Sequence, residues 1–271
     1  MFCRSQQLTG YKLNGRDGDL GKIKEFYFDD KHWTIRYLVA DTGTWLASRQ
    51  VLISPYSVMS IDTDSRTVKV DLTKDQIENS PELDSDQPVS RQFELTYFDY
   101  YGWPSYWSGQ YMWGAYPLHP YIMRDRAKWL HPAAGELKWD AHLRSMKDVS
   151  GHRIEATDGE IGHVVDFIID DETWAIRYLI IDTTNWWPGG HVLVSPEWIA
   201  RVSWPDRTVF MNVTRSDIEK SPPYKPEAAI SRDYETELHR HYQKTGYWSD
   251  MNVKQPAGAG GGVADLIPPV R

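Results

Sequence analysis

Two Arg/Asp couples are the first candidates for chemistry: Arg36 with Asp41, and Arg177 with Asp182. At the rim of a small barrel such a couple is either a binding or proton-relay pair, or else a structural ion pair or turn cap. Asp29-Asp30 and Asp170-Asp171-Glu172 have the residue types that attract a divalent cation, but adjacent acids in a hairpin ordinarily form a solvated turn. His239 and His241, two apart, fall on different sides of a helix and are predicted to be surface histidines rather than joint metal ligands. Cys3 is the single cysteine, so neither an intramolecular disulfide nor a thiolate zinc cluster is available. The Gly-x-Ser-x-Gly elbow, the P-loop and His-Glu-x-x-His do not occur. The expectation is a non-enzyme with no catalytic residue, metal or cofactor; an uncharacterised hydrolase is the remoter alternative.

The residue class in excess is aromatic, with 13 Trp and 16 Tyr. Between Tyr97 and Trp139 the chain sets Tyr100, Tyr101, Trp103, Tyr106, Trp107, Tyr111, Trp113, Tyr116, Tyr121 and Trp129 among Gly and Pro, where linkers are usually polar. Such side chains anchor protein interfaces and membrane-surface belts, or they cement two halves of one chain together. The candidate interaction surface is Trp103, Tyr106, Trp107, Tyr111, Trp113, Tyr116, Tyr121 and Trp129.

The elements that must position these residues occur twice. Asp17-Gly18-Asp19-Leu20-Gly21 returns as Asp158-Gly159-Glu160-Ile161-Gly162, and Trp33 to Leu38 returns as Trp174 to Leu179, both displaced by 141 residues. The same displacement carries Ser54-Pro55 to Ser195-Pro196 and Tyr106-Trp107 to Tyr247-Trp248 without an insertion, the mark of a tandem repeat. Each copy is predicted to open with an extended piece (8–13; 149–154), then a tight turn at Asp-Gly. A strand follows at 20–28 (161–169), its alternation slipping near Lys24-Glu25 as a bulge would require. A central strand at 35–39 (176–181) and three shorter ones come next. That is about six strands in some 70 residues, too close for crossover helices, and predicts a small antiparallel barrel. Thr73 and Thr214 look like caps of short helices ending before Ser80-Pro81 and Ser221-Pro222. Longer amphipathic helices are expected near 91–101 and 232–244.

A Gly followed by Asp-Gly-x-[Leu/Ile]-Gly, then Asp-Asp, then Ile-Arg-Tyr-Leu-x-x-Asp resembles the PRC-barrel family. The motif stands at Gly10…Asp17-Gly18-Asp19-Leu20-Gly21…Arg36…Asp41 and again at Gly151…Asp158-Gly159-Glu160-Ile161-Gly162…Arg177…Asp182, covering about residues 5–80 and 146–221. The resemblance implies a non-catalytic adaptor surface. In the reaction-centre H subunit, for which the family is named, it implies a cytoplasmic cap that helps deliver protons through acidic groups.

The resulting expectation is a mainly β protein: two small antiparallel PRC-type β-barrels in tandem, each with short C-terminal helices. Residues 1–107 form the first copy, 108–144 an aromatic-rich connector, 145–248 the second copy and 249–271 a flexible Gly-rich tail. In that tail Pro256 to Gly262 is a tether, and Leu266-Ile267-Pro268-Pro269 a docking peptide. The formal charge of −8 argues against nucleic acid. No run approaches the ~18 apolar residues of a membrane span, and MFCRSQQLTG has no secretory h-region. The expected chain is cytoplasmic, with peripheral membrane contact still open. It binds a protein partner or a second copy, as a scaffold or, alternatively, as an accessory subunit of a photosynthetic or electron-transfer complex. Matched positions that differ, Leu46 with Trp187 and Gln50 with His191, hint that the copies diverged.

Overall fold

The computed structural model describes residues 1–47, 49–81, 89, 91–103, 105–106, 143–184 and 190–252. They fall into two compact parts, residues 1–229 and residues from 230 onward. The first part holds β1 (Phe2–Arg4), α1 (Ser5–Leu8), β2 (Lys12–Gly15), β3 (Gly18–Asp29), β4 (Thr34–Asp41), β5 (Gln50–Ile53), β6 (Val58–Asp62), β7 (Thr67–Val70), α2 (Lys74–Glu78) and α3 (Arg91–Tyr101). It continues with β8 (Leu143–Ser145), α4 (Met146–Val149), β9 (Arg153–Ala156), β10 (Gly159–Asp170), β11 (Ile176–Asp182), β12 (His191–Val194), β13 (Ile199–Ser203), β14 (Thr208–Met211) and α5 (Arg215–Glu219). The second part holds α6 (Arg232–His241) and α7 (Tyr247–Asn252).

The described residues are mainly β and form two seven-stranded sheets. One runs β5-β4-β3-β2-β7-β6 with β8 on β3; the other runs β12-β11-β10-β9-β14-β13 with β1 on β10. Two features differ from the expected antiparallel barrel. The ladder is open between β5 and β6, as it is between β12 and β13, and β2/β7 and β9/β14 pair in parallel. The reason lies at Ser54-Pro55 and Ser195-Pro196. A 3₁₀ turn with Pro at its start joins β5 to β6, its Ser54 hydroxyl accepting from Tyr56 N at 3.3 Å. The chain therefore turns a corner there without making a hairpin, and β7 returns parallel to β2.

The bulge expected near Lys24 is present, with register shifts between Ile23 and Glu25 and between Val164 and Asp166. It turns Ile23, Phe26 and Phe28 all inward, which strict alternation would forbid. Of the extended pieces expected at 8–13 and 149–154, only the ends are strand, from Lys12 and Arg153 onward; a helical turn, α1 or α4, runs up to Leu8 or Val149 before them. The short helices α2 and α5 carry full capping boxes, Thr73 with Gln76 and Thr214 with Asp217. Helix α6 stops at His241, short of Lys244, and α7 reaches Asn252, where the flexible tail was expected. The remainder of that tail and most of the aromatic connector lie outside the described residues.

Both end strands cross over. β1 pairs with β10 (Cys3 opposite Ile169), while β8 pairs with β3 (Arg144 opposite Phe28). Thr34 bridges Ala175 between the sheets, with Ile35 N donating to Trp174 O at 2.9 Å and Ile176 N to Trp33 O at 2.7 Å. Every one of these pairs is related to its counterpart by the same displacement of 141.

Candidate functional site

The repeated motif residues hold the backbone. Gly21 has φ +121°, and a Cβ there would lie 2.1 Å from Asp41 O; at Gly162, φ +144°, the distance to Asp182 O would be 2.0 Å. No other residue type fits this close approach of β3 to the end of β4. The Asp17 carboxylate accepts from Lys74 N at 2.9 and 3.1 Å, and Asp158 from Arg215 N at 2.7 Å. Each places a negative charge at the positive end of a short helix, docking that helix to the hairpin. Gly18 and Gly159, with φ +134° and +135°, follow these turns.

The structure does not bring Arg36 together with Asp41. Asp41 lies exposed and caps its own turn, Gly43 N donating to it at 2.9 Å; Asp182, partly buried, caps its turn likewise, accepting from Thr184 N at 2.8 Å. Arg36, fully buried, donates from Nη2 to Asp29 Oδ2 at 2.9 Å, and Arg177 to Asp170 Oδ2 at 2.8 Å. The Asp-Asp turn is therefore not simply solvated. Asp29 is buried and accepts in addition from Lys31 N, His32 N and His32 Nδ1. Its burial works to raise the carboxyl pKa but is outweighed by the Arg36 charge and hydrogen bond and by His32, so the net direction is downward. Asp170 is lowered as well: burial opposes, and Thr173 and Arg177 prevail. Among the described residues no group of three or more His, Cys, Asp or Glu could hold a metal ion.

Above this ion pair lies a polar network roofed by α3. Glu94, fully buried, accepts at Oε1 from Tyr37 Oη and from Tyr106 Oη, both at 2.7 Å. The Arg36 guanidinium lies 4.1 Å from the centre of the Tyr106 ring. Tyr97 Oη donates to Leu52 O and accepts from Ser54 N, each at 3.0 Å. Burial, then the Glu94 charge, drives the Tyr37 hydroxyl well above the ordinary phenol range. The Tyr37 hydroxyl thus stays protonated and acts as a donor to Glu94, which fits positioning rather than proton release. Within the second compact part, Tyr247 Oη donates to Glu235 Oε1 at 3.0 Å and Arg232 pairs with Glu235 at 2.9 Å. Glu94 and Glu235 escaped the sequence reading. Their recurrence at the displacement of Tyr106 and Tyr247 was the available signal.

Of the expected interaction surface, Trp103 and Tyr106 are described, and Trp107, Tyr111, Trp113, Tyr116, Tyr121 and Trp129 lie outside the described residues. Tyr106 is buried at 2% exposure and offers no free surface. Trp103 is half-buried and stacks on Tyr101, centroids 4.5 Å apart at 12°, with Tyr56 at 6.2 Å and Tyr100 edge-on to Tyr101 at 4.8 Å. Tyr100 is 40% exposed. The described members of this segment, Tyr97, Tyr101, Trp103 and Tyr106, pack over the first sheet around Tyr37, Val39 and Leu52, while between the sheets Phe28 meets Phe167 with ring centroids 6.1 Å apart. His239 is buried rather than on the surface, its Nδ1 donating to Thr245 O at 3.1 Å. His191 is a strand residue of β12, opposite Asp182.

The stretch from α1 through α2 thus has a fixed order of strands, two obligate glycines and a capped closing helix. Residues 6–77 match the PRC-barrel domain family. The PRC-barrel match takes in both glycines, the Asp29/Arg36 pair and nearly all of α2. An uncharacterized protein of Deinococcus radiodurans is 33% identical over 85 residues, a stretch amounting to 31% of this chain and 30% of that protein. The chain therefore spans under a third of the length of this relative. No described helix is long and apolar enough to cross a membrane.

Proposed function

We propose that the protein is a non-catalytic scaffold built from two PRC-type barrels in tandem, residues 1–107 and 145–248, and that it binds a protein partner over the aromatic roof of the first barrel. The observation that carries this reading is the half-exposed cluster of Tyr56, Tyr100, Tyr101 and Trp103 beside the buried Glu94 network. Rigid, stacked aromatic rings lose little entropy on binding and bury much area. The polar groups beneath them are already paired inside the fold, which suits a platform better than a reaction centre.

The test is affinity purification of the tagged full chain from its native cells, with crosslinking and mass spectrometry, beside Tyr100→Ala and Trp103→Ala. A partner crosslinked near residues 56 and 100–103, and reduced at least tenfold in the variants, is the expected result. Recovery of the chain alone under all conditions, or an unchanged partner set in both variants, overturns the reading. A partner set made of pigment or electron-transfer proteins would assign the scaffold to such a complex.

A further inference from the structure

The strands β3 and β10 are twelve residues long, yet the strands beside them on one edge, β2 and β9, have four. β2 covers Gly18 to Lys22 only, and β9 covers Gly159 to His163 only. Beyond the bulge the same edge runs on, at Tyr27 to Asp29 and at Ile168 to Asp170. There each sheet receives a three-residue strand from the other half of the chain: β8 lies on Tyr27–Asp29, and β1 lies on Ile168–Asp170. An uncovered edge of this kind is a template for pairing with any free strand.

The side chains around the exchange are arranged to lock it. The first residue of α1, Ser5, donates from Oγ to Asp166 Oδ1 at 2.5 Å, and Gln6 N donates to the same oxygen at 3.1 Å. Gln6 Nε2 reaches Val165 O at 2.7 Å. In the other direction Ser145 Oγ donates to Glu25 Oε2 at 2.5 Å, and Arg144 Nε to Asp30 Oδ2 at 2.9 Å. Asp166 stands where Glu25 stands in the first half, 141 residues on. Both halves thus place a carboxylate at the bulge, and each holds the segment arriving from the other half.

We propose that this bulged edge, β3 beyond Ile23 and β10 beyond Val164, is a recognition surface whose partner is the N-terminal strand-and-turn of a second PRC-type unit. In this chain the two units satisfy one another reciprocally, so the molecule is a covalently joined dimer whose halves hold together without the connector. The proposal does not depend on the aromatic roof or its partner.

A protease site inserted between Gly114 and Ala115 of the full chain allows the connector to be cut after folding. The expected result is that both fragments elute together in size-exclusion chromatography with light scattering, at the mass of the uncut chain. Cys3→Pro removes the strand N–H opposite Ile169, and deletion of residues 1–4 removes β1 without introducing a proline; each is expected to weaken the cut pair at least tenfold. Fragments that separate or aggregate on cutting overturn the proposal. So does a cut pair of unchanged affinity in both variants.

Discussion

Arg36 and Asp29 illustrate how a buried charge is held at the residue scale. With Arg36 fully buried, replacing it by Ala leaves the buried carboxylate of Asp29 with only His32 and two backbone donors, and breaking such a pair costs about 3–5 kcal/mol; the midpoint of urea unfolding measures it. Asp29 and Asp170 have folded pKa values below their ordinary 3.8. Their contribution is fully present above pH 3.8 and is lost as pH falls through the lowered values. Asp166 works in the opposite sense. Burial raises its pKa, although Ser5, Phe167 and Gln6 donate to it, so its ionisation opposes folding as pH rises from 3.8 through the raised value. Asp166→Asn is therefore expected to gain stability over the wild type at pH 7 relative to pH 3.5, as thermal unfolding at the two pH values would show; an equal difference at both contradicts the assignment. Gly21→Ala and Gly162→Ala meet a backbone oxygen at 2.1 and 2.0 Å, and each is expected to cost on the order of 3 kcal/mol or more. The repeated Asp-Gly motif was legible in the sequence. Its use was not, because the partners of Asp17 and Gly21 lie across the sheet, at Lys74 and Asp41.

The elements that local rules govern were the ones foreseen. Thr73 and Thr214 cap their helices because a hydroxyl acceptor followed three residues later by Gln or Asp satisfies donors within one turn. The bulge in β3 was readable because Ile23, Phe26 and Phe28 cannot share a face of a regular strand. What escaped was the parallel return of β7, which depends on a corner at Pro55 rather than on any strand's own pattern, and the exchange of β1 and β8, which are too short for periodicity to mark. Helix α3 is seated by the buried Tyr97 and Phe98 and by the hydrogen bonds of Glu94. Tyr37→Phe and Tyr106→Phe each remove one hydrogen bond to that carboxylate, at an expected cost of about 1.5–3 kcal/mol in denaturant unfolding. Because both hydroxyls serve one oxygen, the double variant should depart from additivity by more than about 0.5 kcal/mol.

Across the whole molecule the reciprocal strands make Cys3 a reporter. It is 3% exposed, and burial, with the Asp171 charge adding, pushes its thiol up to about 11, so alkylation requires β1 to leave β10. Ser5→Ala combined with Gln6→Ala loosens the lock on Asp166 and should speed labelling of Cys3 at least tenfold, read by mass spectrometry of the intact protein; an unchanged rate would show that β1 is held by pairing alone. The crossed strands also impose an order on synthesis. The first sheet has its own β2–β7 once residue 70 has been made, but the edge of β3 at Tyr27–Asp29 stays bare until residue 145 emerges from the ribosome. β1 in turn waits for a partner some 165 residues behind it. Pairings of such long sequence separation close late, so for much of its time on the ribosome the chain carries one unsatisfied strand and one open edge. During that interval a neighbouring nascent copy offers the same two surfaces in trans.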